Sequence, residues 1–186
     1  YISLPGTLIS TLNINRDENK FDIVIDSEKI NLDHYITYFS NNTLNQNGLK
    51  LSFKLNSEKF ALPGGIEADG EINGIYSNNN GLNSSLKGSI YLGQEITIKD
   101  TKFFAKFSEN ESEFDGTGLI NNTPIFFKKD NENKNNVFTI SGNNAGAILK
   151  GFKITDLIQG GNVIISVTFD EQNFRNYSAL IDVSKF

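Results

Sequence analysis

Short segments in which apolar and polar residues alternate recur along this chain, and they restrict its fold more than any other feature. Between residues 49 and 55, for example, Leu49, Leu51, Phe53 and Leu55 alternate with lysine and serine. A period of two is typical of a β-strand with one apolar and one solvated face. About ten strands are predicted on this basis. They cover residues 6–14, 21–25, 49–55, 71–76, 85–92, 102–108, 112–120, 123–128, 137–140 and 162–169.

Apolar residues recur at helical spacing in only two places, residues 31–39 and 145–152. The predicted apolar faces consist of Leu32, Tyr35, Ile36 and Phe39 in the first segment and of Ala145, Ile148, Leu149 and Phe152 in the second. Asn143 and Asn144 precede the second helix and can cap it, because a short side-chain carbonyl accepts a free backbone N–H. Gly160 and Gly161 then allow a turn into the next strand.

Two short helices cannot cover this many strands. A helix is about 10 Å across and strands lie about 4.8 Å apart, so one helix shields two or three strands. The rest of the apolar face must close on itself as a barrel or sandwich, bury against another chain, or stay open as a groove. Packing rules alone are satisfied by all three arrangements.

The composition argues against several classes of protein. The net charge is −5 and no cluster of lysine and arginine is present, which argues against nucleic-acid binding. Without cysteine, the chain has no disulfide and no thiolate metal site. No stretch approaches the roughly 20 apolar residues of a membrane span, and no signal peptide opens the chain. Because the chain begins at Tyr1 and contains no methionine, we expect a fragment of a longer protein, with a membrane anchor missing.

Few residues could carry catalysis or bind a metal ion. His34 is the one histidine, and Asp33 lies beside it, but neighbours at i and i+1 do not face each other on a helix. Four carboxylates could bind calcium, but they lack the tight turn of a calcium loop, and we interpret them as a solvated strand face. They are Glu109, Glu111, Glu113 and Asp115. We therefore predict that the protein is not an enzyme and holds no metal or other cofactor.

The C-terminal part of the chain carries a more specific pattern. Residues 141–152 read S-G-N-N-A-G-A-I-L-K-G-F, residues 158–167 read I-Q-G-G-N-V-I-I-S-V, and a closing strand at 177–186 reads Y-S-A-L-I-D-V-S-K-F. This pattern resembles the C-terminal region of the AsmA-like family of bacterial envelope proteins. Residues 30–36, I-N-L-D-H-Y-I, are similar to a strand-to-helix segment of the same family.

The resemblance implies a fold and a function. The expected fold is mainly β, a single curved and twisted antiparallel sheet of about ten strands with two short helices, forming a groove or an open barrel-like shape within one domain, residues 1–186. The expected function is a bridge-like lipid-transfer module in the periplasm, tethered to the inner membrane and close to other envelope proteins. Its apolar groove would shield phospholipid or other acyl chains during transport between the inner and outer membranes and so support outer-membrane biogenesis.

The lining of such a groove follows from the apolar positions of four predicted strands. Residues two apart in a strand face the same way, and antiparallel neighbours keep that side. The predicted lining consists of Leu51, Phe53, Leu86, Ile90, Phe103, Phe107, Val163, Ile165 and Val167. The alternative is a non-catalytic structural or adhesin-like β domain that binds another protein along a free sheet edge.

Overall fold

The computed structural model describes residues 6–32, 50–62, 65–77, 81–107, 112–130, 136–170 and 173–184. In this part of the chain eleven strands form one sheet, and each strand lies beside its neighbour in sequence. The strands are β1 (Leu8–Asp17), β2 (Lys20–Asn31), β3 (Lys50–Ala61), β4 (Ile66–Ser77), β5 (Gly81–Leu92), β6 (Ile96–Phe107), β7 (Ser112–Ile120), β8 (Thr123–Asp130), β9 (Asn136–Gly142), β10 (Asn162–Asp170) and β11 (Asn173–Ser184). The predicted fold class, a mainly β protein built on a single curved sheet, is confirmed.

The sheet is not closed, and β1 and β11 are its two edges. Neighbouring strands are antiparallel except for β2 and β3, which run parallel, so the antiparallel prediction is wrong for this one pair. The two strands share a short motif: Ser-Glu-Lys at residues 27–29 recurs at residues 57–59, and each paired residue of β2 lies opposite the residue thirty positions later. A parallel pair requires a crossover connection, which here runs through residues 33–49, outside the described part.

The helix predicted at residues 31–39 is wrong at its first residue, which belongs to a strand. Asn31 is the last residue of β2, where its backbone pairs with that of Ala61. The amide of Leu32 donates to the carbonyl of Ala61 at 2.8 Å, so the extended pairing continues to this residue. The remainder of the predicted helix, including His34, lies outside the described residues.

The second predicted helix is present as α1 (Ala145–Gly151). The side-chain oxygen of Asn144 accepts from the amide of Ala147 at 3.1 Å, as expected of an N-cap. Ala145, Ile148 and Leu149 are buried, which confirms the predicted apolar face. Because α1 has only seven residues, its stability depends on this packing rather than on helix propensity.

The buried hydrophobic side chains all belong to one side of the sheet, which we name the inner face. One cluster lies under α1 and includes Ile98, Ile120, Ile125 and Val163. A second cluster lies on β2 to β5 and includes Ile30, Leu55, Phe60, Ala68 and Leu86. The partly buried side chains of Ile90 and Phe103 contact both clusters, so the inner face is continuous between them.

β-bulges on β3 and β6 lie along one line across the sheet and bend it. Regular pairing is interrupted between Ser57 and Phe60, between Gly88 and Ile90, and between Lys99 and Lys102. On β6 the extra residue makes Thr101, three positions after Ile98, the next side chain on the inner face, and we name this line of bulges the crease. It also explains why β6 begins six residues before its predicted start, since the bulge breaks the simple alternation between Ile96 and Phe107.

Candidate functional site

An unbroken apolar row crosses the inner face from one edge of the sheet to the other. Each strand contributes one residue, and each residue is paired with the next across the strands. The row consists of Leu12, Ile25, Leu55, Ile72, Leu86, Phe103, Gly116, Phe127, Ile140, Ile165 and Ile181. Directly paired residues in a sheet project to the same side, so these positions form one continuous apolar strip.

A second row lies beside the first, farther from α1. It begins with Ile14, paired with Ile23, and continues through Phe53, Gly74 and Ser84 to Ala105 and Phe114. Ile14 is 48% exposed, and Ile23 and Phe53 are only half-buried. Helix α1 contacts β7, β8 and β10. Within the described part of the chain, the helix therefore covers one end of the inner face and leaves this second row without cover from the helix, although Gly74 and Ala105 in it are buried by their neighbours.

The predicted lining residues with described side chains all lie on the inner face. Leu86 is paired with Phe103, and both Phe103 and Ile90 pack against the cluster on β2 to β5 to which Leu86 belongs. Val163 and Ile165 are buried in the cluster under α1, so they belong to the packed core of the sheet. Phe107 pairs through its backbone with Leu82, and its side chain is outside the described part.

Three other predicted lining residues are better placed to contact a ligand. Leu51, Phe53 and Val167 are half-buried, and they lie on β3 and β10. The ring of Phe53 occupies the space above Gly74, where a Cβ would collide with it. The lining residues are thus brought to one surface, and whether that surface holds lipid stays a prediction.

Sequence reasoning missed several half-buried aromatic and aliphatic side chains of this surface. Phe114 lies 5.9 Å from Phe103 between ring centres, and Phe138 stacks on Phe127 at 6.0 Å. Ile23, Ile25 and Ile72 also belong to the surface. Their alternation was visible in the sequence, but only the register between strands assigns them to the same side as Phe53 and Leu86.

The opposite, outer face carries ladders of paired polar side chains, together with exposed apolar side chains such as Ile75, Phe104 and Phe126. Asp22 accepts a hydrogen bond from Ser52, and the amide of Asn56 donates to Asp26 at 2.6 Å. The hydroxyl of Ser52, followed by the ammonium group of Lys20, lowers the pKa of the Asp22 carboxyl. These pairs join residues thirty positions apart on the parallel strands, so they help to set the register of β2 against β3.

A shallow depression of about 480 Å³ lies mainly on this outer face, lined by side chains that include Val24, Lys54, Ile75 and Phe104. It is open to solvent and has no cluster of catalytic groups. Within the residues that the structure describes, no three His, Cys, Asp or Glu side chains lie close enough together to hold a metal ion.

The carboxylates singled out in the sequence are only partly described. Glu113 lies 4.0 Å from the ammonium group of Lys106, and Asp115 is paired with Lys128 across β7 and β8. Both carboxylates are on the outer face, and each has a lysine as its neighbour on the adjacent strand. Glu109 and Glu111 lie outside the described residues. Among the helices described, none is long and apolar enough to cross a bilayer.

Comparison with known proteins identifies no relative: no family model, no curated protein and no solved structure matches this chain. The inner face therefore has to be interpreted from its own chemistry. It offers apolar contacts over the whole width of the sheet. Such a surface can bind aliphatic or aromatic groups by exclusion of water, and it has no need of reactive side chains.

Proposed function

We propose that this chain is a lipid-handling module whose inner face shields acyl chains from water without covalent chemistry. The observation that supports the proposal is the apolar inner face of an open sheet of eleven strands, which is packed in its middle, as at Leu55 and Phe127, and accessible towards its edges, where Leu12, Ile14 and Ile181 are 37%, 48% and 38% exposed. Large uncovered apolar surfaces are uncommon on proteins that have no ligand or partner. Burial of an acyl chain there would contribute about 0.8 kcal/mol per methylene group.

An acyl chain fits this surface better than a compact ligand does. The inner face is a long strip, and the main contacts of α1 in the described part of the chain are with β7, β8 and β10, at one end of it. A flexible hydrocarbon chain makes no hydrogen bonds, so an extended apolar strip can bind it through apolar contacts alone. A compact polar metabolite would instead need convergent hydrogen-bonding groups, which the two apolar rows do not provide.

We place this activity in the bacterial periplasm, in an AsmA-like envelope protein that is tethered to the inner membrane and moves phospholipid between the inner and outer membranes. The absence of cysteine allows a direct test of location, since a single Leu157→Cys substitution adds one thiol at a side chain that is 87% exposed. A membrane-impermeant maleimide should label it in cells whose outer membrane alone has been permeabilised. Labelling only after lysis of the inner membrane would contradict a periplasmic location.

Native mass spectrometry after gentle purification tests lipid binding itself. The parent protein should carry phospholipid, and Ile23→Asp should remove it, because the charge lies in the uncovered row of the inner face. Ile75→Asp is the matched control: it introduces the same charge on the outer face, where Ile75 is 48% exposed, and it should leave the lipid bound. A parent protein that carries no lipid, even after incubation with phospholipid vesicles, would refute the proposal.

A protein-binding function remains the alternative, and one observation favours it. Strand β11 pairs with β10 without interruption from Tyr177 to Ser184, and Leu180 on this edge is 70% exposed. A regular, apolar edge strand can accept a strand from another protein. If this is the function, the parent protein should form a complex with another protein and carry no lipid. Leu180→Lys should then abolish that complex. The same mass spectra therefore distinguish the two functions.

A further inference from the structure

Strand β11 is an edge of the sheet without the usual obstacles to pairing. In the described part of the chain one of its two sides is occupied, by β10, and that pairing runs without a bulge from Tyr177 to Ser184. This segment has no proline, lysine or arginine, and Asp182 is its one charged residue. The second side of such a strand presents a row of backbone donors and acceptors to any strand that approaches it.

The opposite edge, β1, is less suited to pairing. Its ladder with β2 is interrupted twice, between Leu8 and Ile9 and between Ile9 and Thr11, and charged residues stand at its other end, at Arg16 and Asp17. Bulges and charges are features by which natural sheets prevent an edge from pairing with another chain. Of the two edges of the described sheet, β11 is therefore the better acceptor of a further strand.

Exposed apolar side chains flank the β11 edge on both faces of the sheet. Ile181 lies on the inner face, opposite Ile165, and is 38% exposed. Leu180 lies on the outer face and is 70% exposed, and its diagonal neighbour on β10, Ile164, is 48% exposed. A strand added at this edge would remove apolar surface from water on both faces at once.

The sequence of β11 is complementary to itself when two copies run antiparallel with Leu180 at the centre. The two Leu180 side chains are then directly opposite each other on the outer face. Asp182 lies opposite the partner's Ser178, whose hydroxyl can donate a hydrogen bond to the carboxylate. No like charges face each other in this register, so both the apolar and the polar positions of the edge are matched.

The neighbouring registers match less well. Centred on Ile181, the pairing places Leu180 opposite the partner's Asp182, and centred on Ala179 it places Leu180 opposite the partner's Ser178. Of these three registers, the one centred on Leu180 therefore gives the most exposed side chain of the edge an apolar neighbour.

We infer that a second copy of this chain pairs with β11, antiparallel and across a twofold axis that passes between the two Leu180 residues. The two open sheets then form one continuous sheet. On the inner face Ile181 lies opposite the partner's Ala179, so each copy extends the apolar surface of the other. This inference goes beyond the proposed function and does not depend on lipid binding.

A twofold pairing fits the two edges better than pairing of β11 with β1 of a neighbouring copy. If Ile181 lay beside the partner's Leu12, which would continue the apolar row, Leu180 would lie opposite the polar side chain of the partner's Asn13. A twofold pairing uses the β11 edges of both copies and stops at two, whereas head-to-tail pairing adds copies without a defined end unless a ring closes.

Single cysteines can test the register, because the chain has none of its own. On oxidation by air with copper phenanthroline, Leu180→Cys should form a disulfide between two copies, since directly opposite Cβ atoms lie about 4.5–5.5 Å apart. Ser178→Cys and Asp182→Cys are matched controls on the same face of the same strand. Neither should crosslink alone, because the two copies of each position would be displaced by about 13 Å along the strand. A mixture of these two variants should crosslink after subunit exchange.

Sedimentation velocity measures the assembly itself. The parent should be a dimer, and Leu180→Lys should weaken dimerisation about a hundredfold, because it removes the apolar contact from both copies and places two ammonium groups opposite each other. Leu8→Lys is the matched control at the other edge, where Leu8 is 60% exposed on the outer face, and it should dimerise as the parent does. Circular dichroism checks folding, and the cysteine variants test the same contact if Leu180→Lys does not fold.

Several results would overturn the inference. They are a monomeric parent, a parent whose β11 edge binds a different protein instead of a second copy, a dimer that Leu8→Lys disrupts and Leu180→Lys does not, and equal crosslinking of all three single-cysteine variants. A monomeric parent that carries phospholipid would leave the proposed function intact. A dimer that carries no lipid, even after incubation with phospholipid vesicles, would support this inference and refute the proposed function.

Discussion

A methyl group introduced at Gly142 tests whether α1 packs on the sheet as the structure places it. Gly142 is the last residue of β9 and is paired with Val163 beneath the helix. A Cβ at this position would collide with Cδ1 of Ile148, and it would lie 2.9 Å from the carbonyl oxygen of Pro124. Gly142→Ala therefore overpacks the contact between the helix and the sheet.

The expected magnitudes follow from that geometry. Overpacking a well-filled core costs about 1–3 kcal/mol, so Gly142→Ala should lower the free energy of unfolding by this amount. Ile148→Ala removes a fully buried side chain and should cost about 2–5 kcal/mol on its own. In the double variant the shortened side chain at position 148 no longer carries the clashing Cδ1. The contact with the Pro124 carbonyl oxygen remains, so Gly142→Ala should still destabilise this variant, but by less than it destabilises the parent, with a coupling above the roughly 0.5 kcal/mol error of additivity.

Urea unfolding followed by circular dichroism measures all four proteins of this cycle. Leu157→Ala is the control, because Leu157 is 87% exposed in the segment after α1, and its unfolding free energy should lie within about 0.5 kcal/mol of the parent. Independent effects of the two substitutions, with no coupling beyond about 0.5 kcal/mol, would show that Ile148 does not lie over Gly142. In that case α1 would not cover this end of the inner face.

Three further predictions address the site and its surroundings. Phe103→Asp should lower the free energy of unfolding by several kcal/mol, because the partly buried Phe103 packs against both core clusters and a carboxylate there loses these contacts and part of its hydration; unchanged stability in urea unfolding would contradict this. Neutralising Glu111, Glu113 and Asp115 together should leave lipid occupancy unchanged in native mass spectra, and a folded but lipid-free variant would revive a metal or catalytic role. The hydrogen bond from Tyr91 to Asp69, at 2.6 Å, raises the pKa of the phenol above 10.0. Its stabilising effect is therefore complete below about pH 10 and is lost as pH rises through the raised pKa; titration of tyrosinate absorbance should show one late group that Tyr91→Phe removes.

The strands and α1 could be predicted from the sequence because their signals are local. Alternation over a few residues identified β3, and the spacing of Ile148 and Leu149 behind Asn144 identified the helix. The inward side of each strand was correct wherever the alternation was regular, as on β10, where Val163 and Ile165 are buried. These predictions needed no knowledge of which strands are neighbours.

The parallel pair could not be predicted from alternation, because alternation does not say which strand lies beside which. A signal was nevertheless present. Ser-Glu-Lys occurs at residues 27–29 and again at residues 57–59, each time followed by an apolar residue and, two positions later, by leucine. Copies of one strand pair most simply in parallel and in register, since identical side chains then form ladders such as Ser27 with Ser57, whose hydroxyl oxygens lie 3.2 Å apart.

The charge pattern of the inner face was also out of reach of the sequence. Lys129 follows Lys128 directly, and nothing in their order shows that the second of them lies among aromatic rings. Its side is fixed by pairing with Phe138, and that register depends on the connection between β8 and β9. The candidate site can thus be predicted from the sequence as an apolar surface. The position of Lys129 on that surface is known only once the register between β8 and β9 is known.

The crease explains how one apolar face can contain both a packed core and an uncovered strip. The buried polar residues of the described part, Ser27, Ser57 and Thr101, all lie along it. Each is satisfied locally; Thr101, for example, donates to the carbonyl of Ile98 at 3.2 Å, so the bend leaves no buried hydroxyl without a partner. Gly70 and Gly88 lie opposite each other in the same line, and a Cβ on either would collide with the backbone of the other's strand. Small residues are therefore required where these two strands approach most closely. Ile98, in the cluster under α1, lies on one side of this line and Ala105, in the second row, lies on the other, so the crease separates the end of the inner face near α1 from the second row.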